Sequence, residues 1–282
     1  MKTNLKIYSI PILMLLFIAN VPLESKTRNI MLVFDLKEYK NEIKDTIDYF
    51  FEEELTPNDQ VIIITPSKKL FSFSKETLKS SKEQIAQQIN AALRKHTSVG
   101  ASDYQTIYRQ MEDTVNLIEN DQNMGYSSRL NSYLIDYAAN RQQLYNIRMI
   151  NESMLLELSD IFKNSRGNPD NQIFLFVEKV LRPIPSKETM EILRTNREIS
   201  FRAVEVFLED KYKTKIDLEK ISKEFKNAGI KLNLIYINPK VQKHPKFQIV
   251  ENSGDLYDAI SKIVEETEGR KITTALPRAI FE

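Results

Sequence analysis

The chain has 282 residues, 40 Lys plus Arg against 39 Asp plus Glu for a formal charge of +1, and 41% hydrophobic residues. That is enough apolar material for one large domain or two small ones, and there is no global field to draw in nucleic acid or anionic lipid. The absence of cysteine excludes disulfides, thiolate zinc sites and thiol nucleophiles, two histidines exclude a His-rich metal site, and six glycines form neither GxGxxG nor GxxxxGK[ST].

Residues 1–25 carry Lys2 and Lys6 ahead of an apolar run over 10–18 that continues weakly to Leu23. The run is shorter than the ~20 residues of a membrane span and is interrupted by Asn20 and Pro22, so it is expected to be a secretory signal, with a periplasmic or secreted product. No small-x-small site precedes Lys26, which leaves an uncleaved N-terminal anchor as the alternative.

Residues 29–39, NIMLVFDLKEY, are the stretch around which the remaining elements are organised. Five apolar residues end at Asp35, the pattern of a buried parallel strand whose terminal acid sits on the rim where open α/β sheets bind ligands. Tyr39, Ile43, Ile47, Phe50 and Phe51 then predict a helix over 38–54, closed by Thr56-Pro57-Asn58-Asp59. Residues 61–64 read as a second central strand and 70–74 as a half-exposed edge strand. Ser74 is placed to cap a helix with Leu78, Ile85, Ile89 and Leu93 on its inner face, broken over 96–102 before another helix opens at Ser102.

From 127 to 164 there is neither Gly nor Pro, and Leu130, Leu134, Tyr137, Leu144, Ile147, Leu155, Leu158 and Ile161 fall mostly at helical spacing. One helix of that length would extend ~50 Å, so it either bends along the sheet or projects as an arm. After Gly167-Asn168-Pro169-Asp170 comes a third central strand, 173–177, ending at Glu178. Pro183 and Pro185 precede 187–226, read as two helices with a turn at 213–215. Residues 230–237 are the fourth central strand, 247–250 are short enough to be the sheet edge, and Ser253 is placed to cap a last helix bearing Leu256, Ile260, Ile263 and Val264, ended by Gly269. The tail, 269–282, is open between an ordered strand, a docking peptide and disorder.

Strands alternating with helices in this order predict an α/β fold, a doubly wound, mostly parallel central sheet flanked by helices. NIMLVFD, DQVIIIT with KLFSFS, GASD before a helix, NQIFLFVE, AGIKLNLIYIN and FQIVENSGDLYDAISKIVEE together resemble a von Willebrand factor A domain over about 28–268, with an added helical segment at about 119–166. The resemblance implies Mg²⁺ or Ca²⁺ on oxygen donors from a DxSxS motif, a Thr before a middle helix and an Asp after the fourth strand. Here Asp35 matches the first Asp, Lys37 and Tyr39 replace the serines, Ser102 beside Asp103 matches the Thr, and Glu178 stands for the second Asp. An ammonium repels a divalent ion, so Lys37 is expected to act as a built-in cation at a metal-free rim with no cofactor; Asp35, Ser102 and Glu178 are the donors that remain should an ion bind.

Plainer roles stand beside these. Asp35 to Glu38 and Ser102 to Gln105 both fit capping boxes, Glu178 fits a strand-end ion pair, and His96 and His244 fit exposed loops. Three function classes remain: an exported, non-enzymatic adhesion-type module that binds another envelope or extracellular protein, a scaffold that self-associates through its long helices, and a hydrolase using Asp35 and Glu178 as a carboxylate pair. No nucleic acid partner is expected, and no membrane contact beyond the possible anchor.

Overall fold

The strand that starts at Asn29 and carries the apolar run 30–34 pairs on both edges, and the rest of the molecule is layered on it. A computed structural model describes residues 28–73, 78, 82–121, 127–163, 170–195, 199–208, 215–239 and 244–282. The expected signal at 1–25, the cap at Ser74, the breaker at 167–169 and most of the turn at 213–215 lie outside them. Among the described residues, β1 (Asn29–Asp35), β2 (Gln60–Ile64), β3 (Leu70–Phe73), β4 (Asn171–Glu178), β6 (Ile230–Ile237) and β8 (Lys271–Thr274) form one sheet in the order β3-β2-β1-β4-β6-β8. Only β3 is antiparallel to its neighbour; the other pairings are parallel, with Phe34 opposite Phe176 and Leu175 opposite Leu234. Together they make a mixed, mostly parallel sheet with helices on both sides, a Rossmann-like architecture.

Alternation along the strands supplies two cores. Met31, Val33, Leu175 and Leu234 meet helices α5 (Glu152–Lys163), α8 (Leu218–Asn227) and α9 (Gly254–Glu266) on one face. Leu32, Phe34, Phe174 and Phe176 meet α1 (Asn41–Tyr49), its π-helical continuation Phe50–Glu54, and α2 (Lys82–Gly100) on the other. A third core joins α3 (Ser102–Asn120), α4 (Ser127–Asn146), α6 (Lys187–Thr195) and α7 (Ser200–Phe207) to a two-stranded ribbon of β5 (Leu181–Pro185) and β7 (Phe247–Glu251).

Several expectations change. Residues 247–250 are not the edge of the main sheet but half of the ribbon, because β5, despite Pro183 and Pro185, pairs with β7. The true edge is β8, from the unassigned tail, whose following 3₁₀ turn Pro277–Ile280 buries Ile280 and sets Phe281 against Phe50, Phe174 and Phe176. Helix α2 runs through 96–99 to Gly100 rather than breaking at His96, and the described residues of 187–226 hold three helices where two are predicted. The glycine-free stretch breaks at 147–151, where Arg148 leaves the helical path to clamp Asp255 with both guanidinium nitrogens (2.8 and 2.9 Å) and Asn151 caps α5 by accepting from the Met154 N–H. Leu130, Leu134 and Tyr137 on α4 and Leu155, Leu158 and Phe162 on α5 are buried, each contributing roughly 1.5–3 kcal/mol, so both halves lie along the domain and neither is a free arm.

At the amino ends of β1 and β2, Arg28 pairs with Asp59 at 2.7 Å, and Asp59 also accepts from the Thr56 N–H. Burial works to raise the Asp59 carboxyl, but these hydrogen bonds outweigh it and hold it below the ordinary carboxylate value. Its stabilisation is complete above the unfolded value of about 3.9 and is lost as pH falls through the lower folded one. An acid titration of unfolding free energy should therefore be flatter below about pH 4 for Asp59→Asn than for the natural chain; parallel curves would remove Asp59 from the acid response.

Gly269 is needed where the chain turns from α9 into β8, because a Cβ there would meet the Leu232 carbonyl oxygen at 1.8 Å. Gly269→Ala should cost about 1–3 kcal/mol in urea unfolding. Gly254→Ala, which meets nothing closer than 3.8 Å in the first turn of α9, should be neutral or slightly stabilising. Equal effects at the two sites would contradict the packing described.

Candidate functional site

The strand order reverses between β1 and β4: β2 and β3 lie to one side of β1, and β4, β6 and β8 to the other. In open α/β sheets the crevice beyond the carboxyl ends at such a reversal is where ligands bind. Asp35 and Glu178 are the last residues of these two strands, 4% and 3% exposed. Ionised carboxylates that are this dry need compensation, and each has its own.

Lys37 Nζ donates to Asp35 Oδ1 at 2.6 Å. Glu178 is satisfied separately: Oε2 accepts from the backbone N–H groups of Lys37 (2.7 Å) and Glu38 (3.0 Å), and Oε1 from Lys40 Nζ (3.0 Å), which also pairs with Glu38 at 3.1 Å. Burial works against the Lys40 ammonium, but the Glu178 carboxylate, with Glu38 behind it, prevails and raises its pKa above the ordinary lysine value. Alternation also separates the two acids, since Asp35 shares the parity of Met31 and Val33 on one face and Glu178 that of Phe174 and Phe176 on the other. The cleft lined by Glu178, Leu36, Lys40, Ile237 and Pro277 has a volume of about 20 Å³, room for a single water.

The other predicted residues lie elsewhere. The Tyr39 hydroxyl donates to Asn90 Oδ1 (2.9 Å) and its ring takes the Arg94 guanidinium (5.5 Å), which places it in the groove between α1 and α2. Ser102 is exposed in the first turn of α3, its hydroxyl donating to Val99 O (2.9 Å), and Asp103 lines a groove between α3 and α4 with Thr106 and Asn146. Neither capping box forms: α1 begins at Asn41, after Glu178 has taken the N–H groups of Lys37 and Glu38, and Ala101 holds the N-cap position of α3. Ser253 holds the N-cap position of α9, but its hydroxyl accepts from the Val180 N–H and meets the Tyr236 hydroxyl instead of capping the helix. His96 is a helix residue hydrogen-bonded to Ser67 at 2.7 Å, and exposed His244 stacks on Phe247.

Lys40 is the residue that sequence reasoning missed; its signal was a second lysine three positions past Lys37, before the helix that follows the strand. An ammonium 2.6 Å from Asp35 and a fully engaged Glu178 make a donor set that does not suit a divalent cation. Among the described residues, no group of three or more His, Cys, Asp or Glu side chains could hold a metal ion. No helix among them is long and apolar enough to cross a membrane. Comparison with protein-family models and with curated proteins finds no match for the chain.

Lys37→Met should destabilise the protein by about 3 kcal/mol or more, because Asp35 is left buried and unpaired, and Asp35→Asn with Lys37→Met should recover most of that loss. Chemical denaturation of the four chains measures the coupling. A Lys37→Met protein of natural stability would show that the ammonium does not compensate Asp35.

Proposed function

We propose that this chain is an exported, non-enzymatic protein-interaction module of the von Willebrand factor A type, whose rim works without a metal ion on another envelope or extracellular protein. The observation that carries the reading is the neutralisation of both rim acids from within, Asp35 by Lys37 and Glu178 by Lys40 and two backbone N–H groups. A metal-bridged adhesion site needs carboxylates whose charge is unspent; these have none to spare. The sheet order, with its one antiparallel edge strand beside β2, supports the family reading. Acids leaving opposite faces of the sheet above a one-water cleft weigh against a hydrolytic carboxylate pair, which has to converge on one bond. The apolar faces of α4 and α5 are spent in the cores, which weighs against a scaffold built on a long free helix.

Two measurements test this. Thermal melts in chelator and then in millimolar Mg²⁺, Ca²⁺ or Mn²⁺ should coincide, whereas an ion at 100 times its dissociation constant would add about 2.7 kcal/mol; ion-dependent stabilisation of the natural chain overturns the metal-free rim. A photo-crosslinking residue at exposed Glu38, in the cells that make the protein, should yield a discrete protein adduct that chelator does not remove. An adduct from the α8 surface with none from Glu38 would move the interface off the rim.

A further inference from the structure

The near-zero charge of the whole chain conceals a local imbalance. Over residues 65–73 and 82–97 five Lys or Arg stand against a single Glu. Three of these cations, Lys68, Lys69 and Lys95, are exposed, and among the described residues none of them meets a carboxylate. Several other surface lysines, though not all of them, are paired: Lys44 with Asp48, Lys163 with Asp160 and Glu224, Lys220 with Glu152, Lys226 with Glu266 and Lys271 with Glu265.

The unpaired lysines belong to one firmly built tip. The turn between β2 and β3 is closed by the Thr65 N–H donating to Lys69 O (3.0 Å) and the Lys68 N–H to Thr65 O (2.8 Å), with Lys68 in the left-handed region at φ 58°. The last turns of α2 are fastened to it by the Ser67–His96 hydrogen bond, by the Phe71 and His96 rings at 6.2 Å, and by Gly100, where a Cβ would lie 2.8 Å from Pro66 O. Leu70 and Val99 flank the tip and are 52% and 60% exposed. Because Phe71 turns into the core shared with α2, alternation sends Leu70 to the other face of the sheet, so the tip carries an aliphatic side chain on each flank. It stands at the carboxyl end of β2, the same end of the sheet as Asp35 and Glu178.

Flexible ammonium groups with exposed aliphatic neighbours are the composition that seats a protein surface on anionic lipid. A specific acidic peptide would call for a groove and for the bidentate fork of arginine; among the described residues, Lys68, Lys69, Leu70 and Val99 line none of the clefts described above, and Lys95 reaches only the groove between α1 and α2, where Asp48, Glu52 and Glu83 balance Lys44, Arg94 and Lys95. We propose that this tip docks on the surface of an anionic phospholipid bilayer, with Lys68, Lys69 and Lys95 among the phosphates and Leu70 and Val99 in the headgroup layer. The inference is independent of what the rim binds, and it orients the rim toward the membrane.

The test is co-sedimentation of the full chain with vesicles of phosphatidylcholine alone or mixed with phosphatidylglycerol, beside Lys68→Gln/Lys69→Gln/Lys95→Gln and Leu70→Ser/Val99→Ser. All three chains carry the same apolar N-terminal segment, so its contribution cancels in the comparison. At about 1 kcal/mol per lysine, the triple variant should bind mixed vesicles about a hundredfold more weakly than the natural chain at low salt, and the difference should shrink as salt rises. The Leu70 and Val99 variant should bind more weakly with its salt dependence kept. The substituted side chains are exposed, and matching circular dichroism and melting temperatures verify folding. Equal binding of the natural and triple-variant chains to mixed vesicles overturns the proposal. So does lysine-dependent capture of a poly-glutamate peptide without vesicle binding, which would assign the tip to an acidic protein.

Discussion

Two carboxylates at the dry ends of adjacent parallel strands constrain everything around them. Asp35 and Glu178 are too buried to be solvated by water, and each must be met by donors from the chain itself. The segment from Leu36 to Lys40 supplies them all: one ammonium for Asp35, and another with two backbone N–H groups for Glu178. That duty holds the segment out of helical conformation, delays α1 to Asn41 and ties β1 to β4 across 141 residues of sequence. A rim organised in this way meets its two buried acids from within the chain, the opposite of a site kept open for an incoming cation.

The same economy governs the helical third core. Arg182 donates to the Tyr137 hydroxyl and to Phe207 O, and Arg141 donates to Val206 O, so two buried guanidinium groups lie against the carbonyls that end α7. Cations at a helix carboxyl terminus are favourable against the partial negative charge there. Tyr137 in turn donates to Pro183 O, and Tyr104 of α3 donates to Leu181 O, so the carbonyl edge of β5 is covered by tyrosines. This is how a ribbon of only two strands, one of them carrying two prolines, is held in place.

The sequence is legible wherever a single force dominates. Residues 30–34, 61–64 and 173–177 are continuous apolar runs because both faces of a central parallel strand are buried, 230–237 departs from that pattern only at Lys231 and Asn233, and all four read correctly as strands. Lys37 shows in the sequence alone both its charge conflict with a metal and its place beside the rim acids, but its ammonium meets Asp35 only, and Glu178 is met by Lys40 instead. The misses are places where tertiary contacts override local pattern. Lys271–Thr274 is short and half exposed, with no apolar run to announce a strand. Pro183 and Pro185 look like breakers until β7 supplies a partner. No Gly or Pro marks the break at 147–151, whose cause is an ion pair to Asp255, 107 residues away. Motif spacing alone puts Tyr39 on the rim, and the late start of α1 carries it to Asn90.

The position of Phe281 has a consequence for the order of assembly. Phe34 and Phe176 stack at 4.6 Å in the middle of the sheet, and the layer over them is completed only when Phe281 and Ile280 fold back onto Phe174 and Phe50. A nascent chain emerging amino end first thus holds an unfinished aromatic face from the synthesis of Phe176 until that of Ile280 and Phe281. Contacts of such long sequence separation form late and slowly. Until Phe281 and Ile280 close over it, that face is the kind of exposed apolar surface through which incompletely folded chains associate.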